Sequence, residues 1–263
     1  MVKSLSTLIF IVIFSLPIKG QPYYAASWKL DGIINGFSLA ALGTTYELSK
    51  NVQGLTVEEI NALDRNGLNA LDRRATYNNS QCAKTASDIL LYSSFLLPAL
   101  PLVDKKMKED QGKIYLLYAE TLLLTHGITQ LSKNIALRTR PYVYNEDVLI
   151  HEKLDINSRY SFFSGHVSTV SSLTFLTASI ISQYHPKGKL MPLVWSTAAL
   201  LPVATGYFRV KSGKHFPTDV MVGYATGALI GIMVPNLHLI KKLNKKGATI
   251  QVGTNYMVIN LIL

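Results

Sequence analysis

Residues 209–219, which read R-V-K-S-G-K-H-F-P-T-D, combine an arginine, a histidine and an aspartate at short spacing. Pro217 favours the start of a helix, and on a helix His215 and Asp219, four residues apart, would share a face. A carboxylate beside an imidazole fixes the tautomer of the ring and stabilises its charged form, so the histidine becomes a usable nucleophile or base. Arg209 adds a planar guanidinium that matches phosphate oxygens. Taken alone, the stretch also fits a surface ion pair beside a loop.

A second stretch, residues 133–141, reads K-N-I-A-L-R-T-R-P and carries two more cations of interest. Lys133 and Arg140 are separated by six residues, and Pro141 follows directly. Together with Arg209 they would place three positive charges around one anion. Cations held in such an arrangement stabilise the charge that develops on a transferring phosphoryl group.

A third stretch, residues 161–166, reads S-F-F-S-G-H and is expected to open a helix at its last three residues. The N-terminus of a helix binds anions, because its free N–H groups and its dipole face the ligand. Gly165 lets the backbone come close to a ligand, and Ser164 offers a hydroxyl. With His166 and His215 at one anion site, one histidine could act as nucleophile and the other as acid.

These three stretches, in this order, resemble the signature of the type 2 phosphatidic acid phosphatase superfamily, which includes lipid phosphate phosphatases, bacterial acid phosphatases and vanadium haloperoxidases. That signature runs lysine-six-arginine-proline, then proline-serine-glycine-histidine, then serine-arginine-five-histidine-three-aspartate. The resemblance covers roughly residues 87–236. Two positions depart from it: Phe163 stands where the family usually has proline, and Phe208 stands where it usually has serine. The second departure removes one hydroxyl from the expected phosphate shell.

The resemblance implies a phosphatase that works through a phosphohistidine. His215 would attack phosphorus, Asp219 would orient His215, and His166 would protonate the leaving oxygen and then activate water. The phosphate oxygens would be held by Lys133, Arg140, Ser164, Gly165 and Arg209. No metal and no other cofactor are expected.

Composition points to a membrane protein. Of the 263 residues, 48% are hydrophobic and 16% are charged, and the net charge of +10 comes mainly from lysines in short loops between apolar segments. A nucleic-acid-binding protein would instead show a basic stripe with interleaved aromatic residues, so we expect no nucleic acid partner. Cys82 is the single cysteine, which excludes an intrachain disulfide and a cysteine metal cluster.

The sequence predicts an all-α fold, a multi-helix membrane-embedded bundle with a short β-like C-terminal tail. Five apolar segments carry the bundle: about 87–103, 114–132, 167–184, 190–208 and 219–236. They are rich in small and hydroxyl residues, which let membrane helices approach closely. A soluble all-helical core is the alternative. Glu120 and His126, inside the second segment, are interpreted as helix–helix hydrogen-bonding groups.

The segments before the first of these helices are less apolar. Residues 1–20 have the shape of a secretory signal peptide, either cleaved or kept as an uncleaved anchor. Residues 27–47 are expected to form either a poor span or a helix lying along the membrane. Residues 57–75 are expected to form an amphipathic helix with Thr56 as its cap. The alternating tail, residues 247–263, is expected to form one or two strands.

We therefore divide the chain into 1–20, a signal peptide or uncleaved anchor; 21–86, a periplasmic or interfacial helical segment; 87–236, the phosphatase helical core; and 237–263, a basic stretch with the C-terminal tail. The lysine-rich loops 104–113 and 185–189 and the stretch 241–246 fall on one side of five alternating helices, which the positive-inside rule makes cytoplasmic. Residues 133–166 and 209–219 then face the periplasm. If 27–47 spans as well, residue 21 lies inside and the signal peptide is a misreading.

The leading hypothesis is a phosphatase of lipid phosphates in a bacterial inner membrane, with its active site facing the periplasm and no prediction of oligomeric state. Candidate substrates are phosphatidylglycerol phosphate, phosphatidic acid, polyprenyl diphosphate and lipid A phosphates. Three alternatives stay open: a secreted soluble acid phosphatase of broad specificity, a vanadium-dependent haloperoxidase, and a catalytically silent lipid-binding protein.

Overall fold

The computed structural model describes residues 23–245, 248–253 and 256–261. Within these residues it confirms the predicted helical bundle. Eleven α-helices occur in the described part of the chain: α1 Trp28–Ser49, α2 Val57–Asn61, α3 Ala70–Arg73, α4 Gln81–Ser94, α5 Leu100–Val103, α6 Lys105–Lys108, α7 Gln111–Ala136, α8 Ile150–Lys153, α9 Gly165–Tyr184, α10 Met191–Lys211 and α11 Pro217–Leu237. The predicted signal segment lies outside the described residues.

Four of the five apolar segments predicted from the sequence correspond to single helices, and 87–103 is divided among α4, a 3₁₀ turn at Leu97–Ala99 and α5. Three of these helical stretches are long and apolar enough to cross a membrane: Gln81–Val103, Met191–Lys211 and Pro217–Leu237. Large apolar side chains on their outer faces are exposed, for example Leu200 and Leu229 at 64% and 65%. A surface of this kind would be unfavourable in water, and a lipid environment accounts for it.

Helix α9 forms the centre of the bundle and packs against α4, α7, α10 and α11. Its closest neighbour is α11, where Gly223, Gly227 and Gly231 recur every four residues along one face. A Cβ atom at any of the three would lie 2.3–2.7 Å from a backbone oxygen of residues 164, 168 or 172. The absence of side chains at these positions therefore lets the two helix backbones touch, as in tightly packed membrane helices.

Helix α1 runs beside α7 along the height of the bundle. Near its start, Asn35 donates a hydrogen bond to Glu120 of α7, and further along the backbone of Ser38 approaches Gly127. Glu120 thus makes the helix–helix hydrogen bond expected from the sequence. Helix α1 therefore follows α7 rather than lying across the bundle end, although it is not among the three stretches long and apolar enough to cross a membrane.

One end of the bundle gathers the lysine-rich loops. Tyr184, at the end of α9, donates its hydroxyl to Asp110, and the backbone N–H of Tyr23 reaches the same carboxylate. Tyr24 forms an isolated antiparallel bridge with Leu239. The chain before α1, the loop before α7 and the chain after α11 therefore lie together at this end, which we call the lysine-rich end.

The single amphipathic helix predicted over 57–75 is wrong. Thr56 does form the expected capping box with Glu59, but α2 ends at Asn61, and a 3₁₀ turn at Arg65–Gly67 precedes α3. Asp64 and Asn69 each accept a hydrogen bond from a backbone N–H two or three residues ahead. Short Asx caps of this kind compete with a continuous helix and start new turns.

The tail after α11 folds as an antiparallel sheet of three strands in the order β1-β2-β3: β1 Lys241–Lys245, β2 Ala248–Gly253 and β3 Tyr256–Leu261. Thr249 of β2 pairs with Asn244 of β1 and with Asn260 of β3. The predicted tail, residues 247–263, contains β2 and β3, so the prediction of one or two strands there is confirmed; β1 lies before it, in the basic stretch.

Candidate active site

The three motif stretches converge at the end of the bundle opposite the lysine-rich end. Lys133 lies in the last turn of α7, and Arg140 follows in the connection after it. Gly165 and His166 open α9, and Arg209 lies in the last turn of α10. The last two predicted residues, His215 and Asp219, stand at the start of α11.

His215 is 1% exposed, and its contacts fix its tautomer. Its Nδ1 lies 2.7 Å from the backbone carbonyl of Ser161, which only accepts hydrogen bonds, so Nδ1 must carry the proton. Its Nε2 therefore has the free lone pair, and this atom lies 3.3 Å from Nη1 of Arg140. A neutral imidazole in this tautomer presents Nε2 as a nucleophile.

The surroundings keep His215 neutral. Burial and the charges of Arg140, Arg209 and Lys133 hold the pKa of His215 well below its usual range. The same charges would favour an anion beside the ring. These surroundings therefore favour a neutral imidazole next to a negatively charged phosphate.

The expectation that His215 and Asp219 share a helix face is wrong. Helix α11 begins at Pro217, as the fixed φ of proline at a first helical position favours, and His215 stands before it. Gly213, with φ of +67°, makes the turn that leads from α10 into this position. His215 Nδ1 is 3.7 Å from Asp219 Oδ2, an ion-pair distance but not a hydrogen bond.

Asp219 reaches His215 through Ser161 instead. Its Oδ2 accepts hydrogen bonds from the Ser161 hydroxyl and from the backbone N–H of Phe216, and it is fully buried. Ser161 in turn offers its carbonyl to His215. One carboxylate thus caps α11 and holds the residue that sets the tautomer of His215, which a motif alone does not reveal.

Behind Asp219 lies a buried ion network. Arg138 donates hydrogen bonds to Asp219, to Thr218 and to Asp72 of α3. Asp72 also accepts from the backbone N–H of Thr218, at the start of α11. Burial alone would raise the pKa of Asp72, but hydrogen bonds from Thr218, Arg138 and Asn69 bring it below its usual range. This network fixes the start of α11 and, with it, Asp219.

His166 lies in the first turn of α9. Its Nε2 lies 2.8 Å from Oδ1 of Asp88 on α4, and Nη1 of Arg209 lies 3.5 Å from the same oxygen. Burial and the charge of Arg209 lower the pKa of His166, and the hydrogen bond with Asp88 opposes that shift. The negative charge of a bound phosphate would favour the protonated form that a general acid needs. Asp88 thus links one proposed phosphate-binding cation to the proposed acid.

The remaining predicted residues are buried around this centre. Lys133 donates to the carbonyl of Tyr160 at 2.9 Å, and Arg140 donates to the carbonyls of Asn157 and Lys214. A Cβ at Gly165 would lie 3.9 Å from Cε of Lys133, so the stem of that lysine passes beside the start of α9.

Two polar atoms at the site have no hydrogen-bond partner in the described part of the chain. The Ser164 hydroxyl is fully buried and unpaired, and Nε of Arg209 is also unpaired. An unsatisfied buried donor costs free energy, on the order of 1–3 kcal/mol. Both atoms belong to the predicted phosphate shell, and an anion accepting hydrogen bonds from them would remove this cost.

Sequence reasoning missed Asp72, Asp88, Arg138 and Ser161, and it gave no role to Lys214. Burial and the nearby charge of Arg140 lower the pKa of Lys214 to about 8. Arg138 and Ser161 stand inside the motif stretches, where their polar side chains next to the predicted residues were the available signal. Asp72 and Asp88 lie outside those stretches, and nothing in their spacing connects them to the site.

Comparison with known proteins finds a family and several similar phosphatases. The PAP2 superfamily matches residues 114–242. Phosphatidylglycerophosphatase B of Bacillus subtilis is 31% identical over 147 residues, which are 54% of this chain and 67% of that protein. Lipid A 4'-phosphatase of Porphyromonas gingivalis is 32% identical over 92 residues, which are 35% of each chain.

A third relative is decaprenylphosphoryl-5-phosphoribose phosphatase of Mycobacterium tuberculosis, 30% identical over 43% of this chain and 55% of that protein. Among solved structures, a transmembrane PAP2 type phosphatidylglycerolphosphate phosphatase from Bacillus subtilis aligns with a TM-score of 0.47 and 20% identity, over 76% of this chain and 94% of that one.

Proposed function

Since the chain belongs to the PAP2 superfamily, we propose that it is a membrane phosphatase that hydrolyses phosphate monoesters or diphosphates of lipids through a phosphohistidine. One observation carries the chemistry: Nε2 of His215 is an unprotonated nitrogen, fixed by its hydrogen bond to Ser161 and placed beside Arg140. The three relatives named above support a lipid phosphate as substrate.

In the proposed first step, His215 Nε2 attacks phosphorus, the bond to the leaving oxygen breaks, and His166 gives that oxygen a proton. The ring of His215 becomes cationic as the N–P bond forms. Asp219 Oδ2, 3.7 Å from Nδ1 of His215, stabilises this positive charge electrostatically and does not accept the Nδ1 proton. In the second step His166, now neutral, takes a proton from water, which attacks phosphorus and frees Nε2 of His215.

The proposed phosphate shell comprises Lys133, Arg140, Ser164, Gly165 and Arg209. The three cations lower the cost of charge on the phosphoryl oxygens in the transition state. The unpaired hydroxyl of Ser164 would donate a hydrogen bond to the phosphate. The backbone N–H of Gly165 would donate another, at the positive end of the α9 dipole. Phe208, half-buried at the end of α10, gives no hydroxyl to this shell.

A phosphate-release screen over lipid and soluble phosphates, with and without detergent, tests the function. We expect release from lipid monoesters or diphosphates by protein extracted only with detergent. Preference for soluble phosphates by protein that stays in solution without detergent would favour the secreted acid phosphatase. Halide oxidation that requires vanadate, without phosphate release, would indicate the haloperoxidase.

Chelation gives the first prediction. Lys133, Arg140 and Arg209 supply the charge that a metal would otherwise supply, so we expect phosphate release at 25 °C to persist in excess EDTA. Orthovanadate should inhibit competitively by occupying the phosphate shell. Initial rates on a lipid monoester measure both effects. Loss of turnover in EDTA with recovery on adding zinc or magnesium would show that the cations alone do not suffice.

Topology gives the second prediction. We propose an inner-membrane protein of a bacterium whose active site faces the periplasm, because the lysine-rich loops lie at the opposite end of the bundle. A reporter fused after Lys246 should behave as cytoplasmic, and one near Asp155 as periplasmic. Since Tyr24 pairs with Leu239, a cysteine label at residue 25 should follow the Lys246 side. The reverse pattern would overturn the orientation.

A further inference from the structure

Three chain segments meet around a buried polar cluster near the lysine-rich end. Asp31 lies in the first turn of α1, Glu120 lies in α7, and His238 directly follows α11. One ligand-type atom from each lies within 4.8 Å of the others. At about 1.5 Å per residue, Glu120 lies roughly 20 Å along α7 from Lys133, so this cluster is separate from the proposed phosphatase site.

The hydrogen bonds around the cluster leave one atom of each side chain facing the other two. His238 uses Nδ1 on the carbonyl of Val234 at 2.8 Å. Asp31 Oδ2 accepts from the backbone N–H of Ser27, and Glu120 Oε1 accepts from Asn35. The three inward atoms are therefore His238 Nε2, Asp31 Oδ1 and Glu120 Oε2.

Glu120 Oε2 is the atom that points to a ligand. Glu120 is 1% exposed, and its Oε2 has no hydrogen-bond partner, although it lies 3.3 Å from Nε2 of His238. Nε2 of His238 is directed instead at Asp31 Oδ1, 2.8 Å away. A buried carboxylate oxygen left unpaired is costly, and a cation placed between the three atoms would satisfy it.

The charge balance supports the same conclusion. With both carboxylates ionised the cluster carries two negative charges, and among the described residues the only cationic partner of Asp31 or Glu120 is His238. A protonated His238 would leave one negative charge uncompensated in a buried place. A divalent cation, with His238 neutral and ligating through Nε2, would bring the cluster to zero.

We propose that Asp31, Glu120 and His238 bind one divalent transition-metal cation that ties the start of α1 and the chain after α11 to α7. Imidazole with two carboxylates is a ligand set that suits zinc or manganese. Ligand atoms at a tetrahedral zinc lie roughly 3.3 Å apart, close to the 3.3 Å between the histidine and glutamate atoms. The Nδ1 hydrogen bond to a backbone carbonyl is the usual outer contact of a metal-bound histidine.

This cluster does not show in the sequence, because its residues lie far apart in the chain; His238 and Asp31 are 207 residues apart. The neighbouring backbone shows what the ion would hold together. Ala25 N–H donates to the carbonyl of His238, and Ile240 N–H donates to that of Tyr23. The metal would therefore stabilise the packing of α1 on the bundle rather than take part in hydrolysis.

The test uses Zn²⁺ and the full chain in detergent, stripped with chelator, reloaded and desalted. We expect about one equivalent of zinc per chain by mass spectrometry and a rise in the unfolding midpoint. Glu120→Gln, which keeps the shape of the side chain, should weaken zinc binding at least about tenfold. Glu47→Gln, an exposed carboxylate of α1, and His166→Ala, at the phosphatase site, should bind zinc as the parent does.

Absorption of bound Co²⁺ in the unmodified chain gives a readout that does not depend on the stability of a variant. Visible bands of a four- or five-coordinate site, displaced by Zn²⁺, would support the proposal. No retained zinc and no cobalt bands, or equal zinc binding by Glu120→Gln, would overturn it. Phosphate release should not follow metal content, so failure here would leave the proposed phosphatase activity intact.

Discussion

His215→Ala is expected to abolish phosphate release from every substrate, lipid or soluble. Nε2 of His215, buried beside Arg140 with its tautomer set by the Ser161 carbonyl, is the proposed nucleophile, so the proposed covalent intermediate cannot form without it. Loss of the nucleophile in a covalent hydrolase costs on the order of 10⁶ in kcat. Initial rates with a lipid monoester and with p-nitrophenyl phosphate measure the effect.

His151→Ala is the matched control, because His151 is exposed and lies in α8, within the connection between α7 and α9 that also carries Arg140. It should retain the parent rate. The proposed roles of the two catalytic histidines would be reversed if His215→Ala kept turning over and carried labelled phosphate on His166. Activity retained without label on either histidine would rule out a phosphohistidine altogether.

The residues proposed to contact phosphate could be predicted from the sequence, whereas the residues that hold them in place could not. The groups that would touch phosphate come in three short stretches, because each is tied to a helix end whose start or stop has a local signal. Pro217 marks the beginning of α11 in this way, and Gly213 marks the turn before it. The four-residue spacing of His215 and Asp219 wrongly predicted that they share a helix face. Only residues inside a helix follow its periodicity, and His215 lies before α11.

The groups that hold the site could not be found in this way. Asp88 reaches His166 across 78 residues, and Asp72 reaches Thr218 across 146. Such pairs depend on how α3 and α4 pack against the starts of α11 and α9, and the hydropathy pattern of a sequence does not predict this packing. The Asx caps in the predicted helix 57–75 were present in the sequence as Asp64 and Asn69, but their effect depends on a competition between local hydrogen bonds.

The fold was predictable for a simpler reason. Long apolar segments rich in small residues can satisfy their backbone groups in a membrane only as helices. Helix α1 escaped a firm prediction because Asp31 and Glu47 lower its hydropathy. The structure places Asp31 in the polar cluster with His238 and Glu47 in an exposed ion pair with Lys50, so these charges do not prevent α1 from lying along the bundle.

His166→Ala is expected to separate substrates by their leaving groups. An alkyl alcohol leaves poorly without a proton, so release from a lipid monoester should fall by about 10²–10⁴, the range of general acid catalysis. A nitrophenolate leaves well unprotonated, so the first step on p-nitrophenyl phosphate should suffer much less. His185→Ala is the control, since His185 pairs with Asp104 at 2.7 Å much as His166 pairs with Asp88, but at the lysine-rich end.

The same variant should trap the intermediate. Because His166 is the proposed base for the attacking water, its loss should slow hydrolysis of the N–P bond more than formation of that bond from a good leaving group. A rapid-quench burst assay with labelled substrate, stopped in alkali that preserves phosphohistidine, should then give a nitrophenolate burst approaching one per enzyme, with the label on His215. Equal losses for the alkyl and nitrophenyl substrates, with no burst, would show that His166 binds phosphate rather than moving protons.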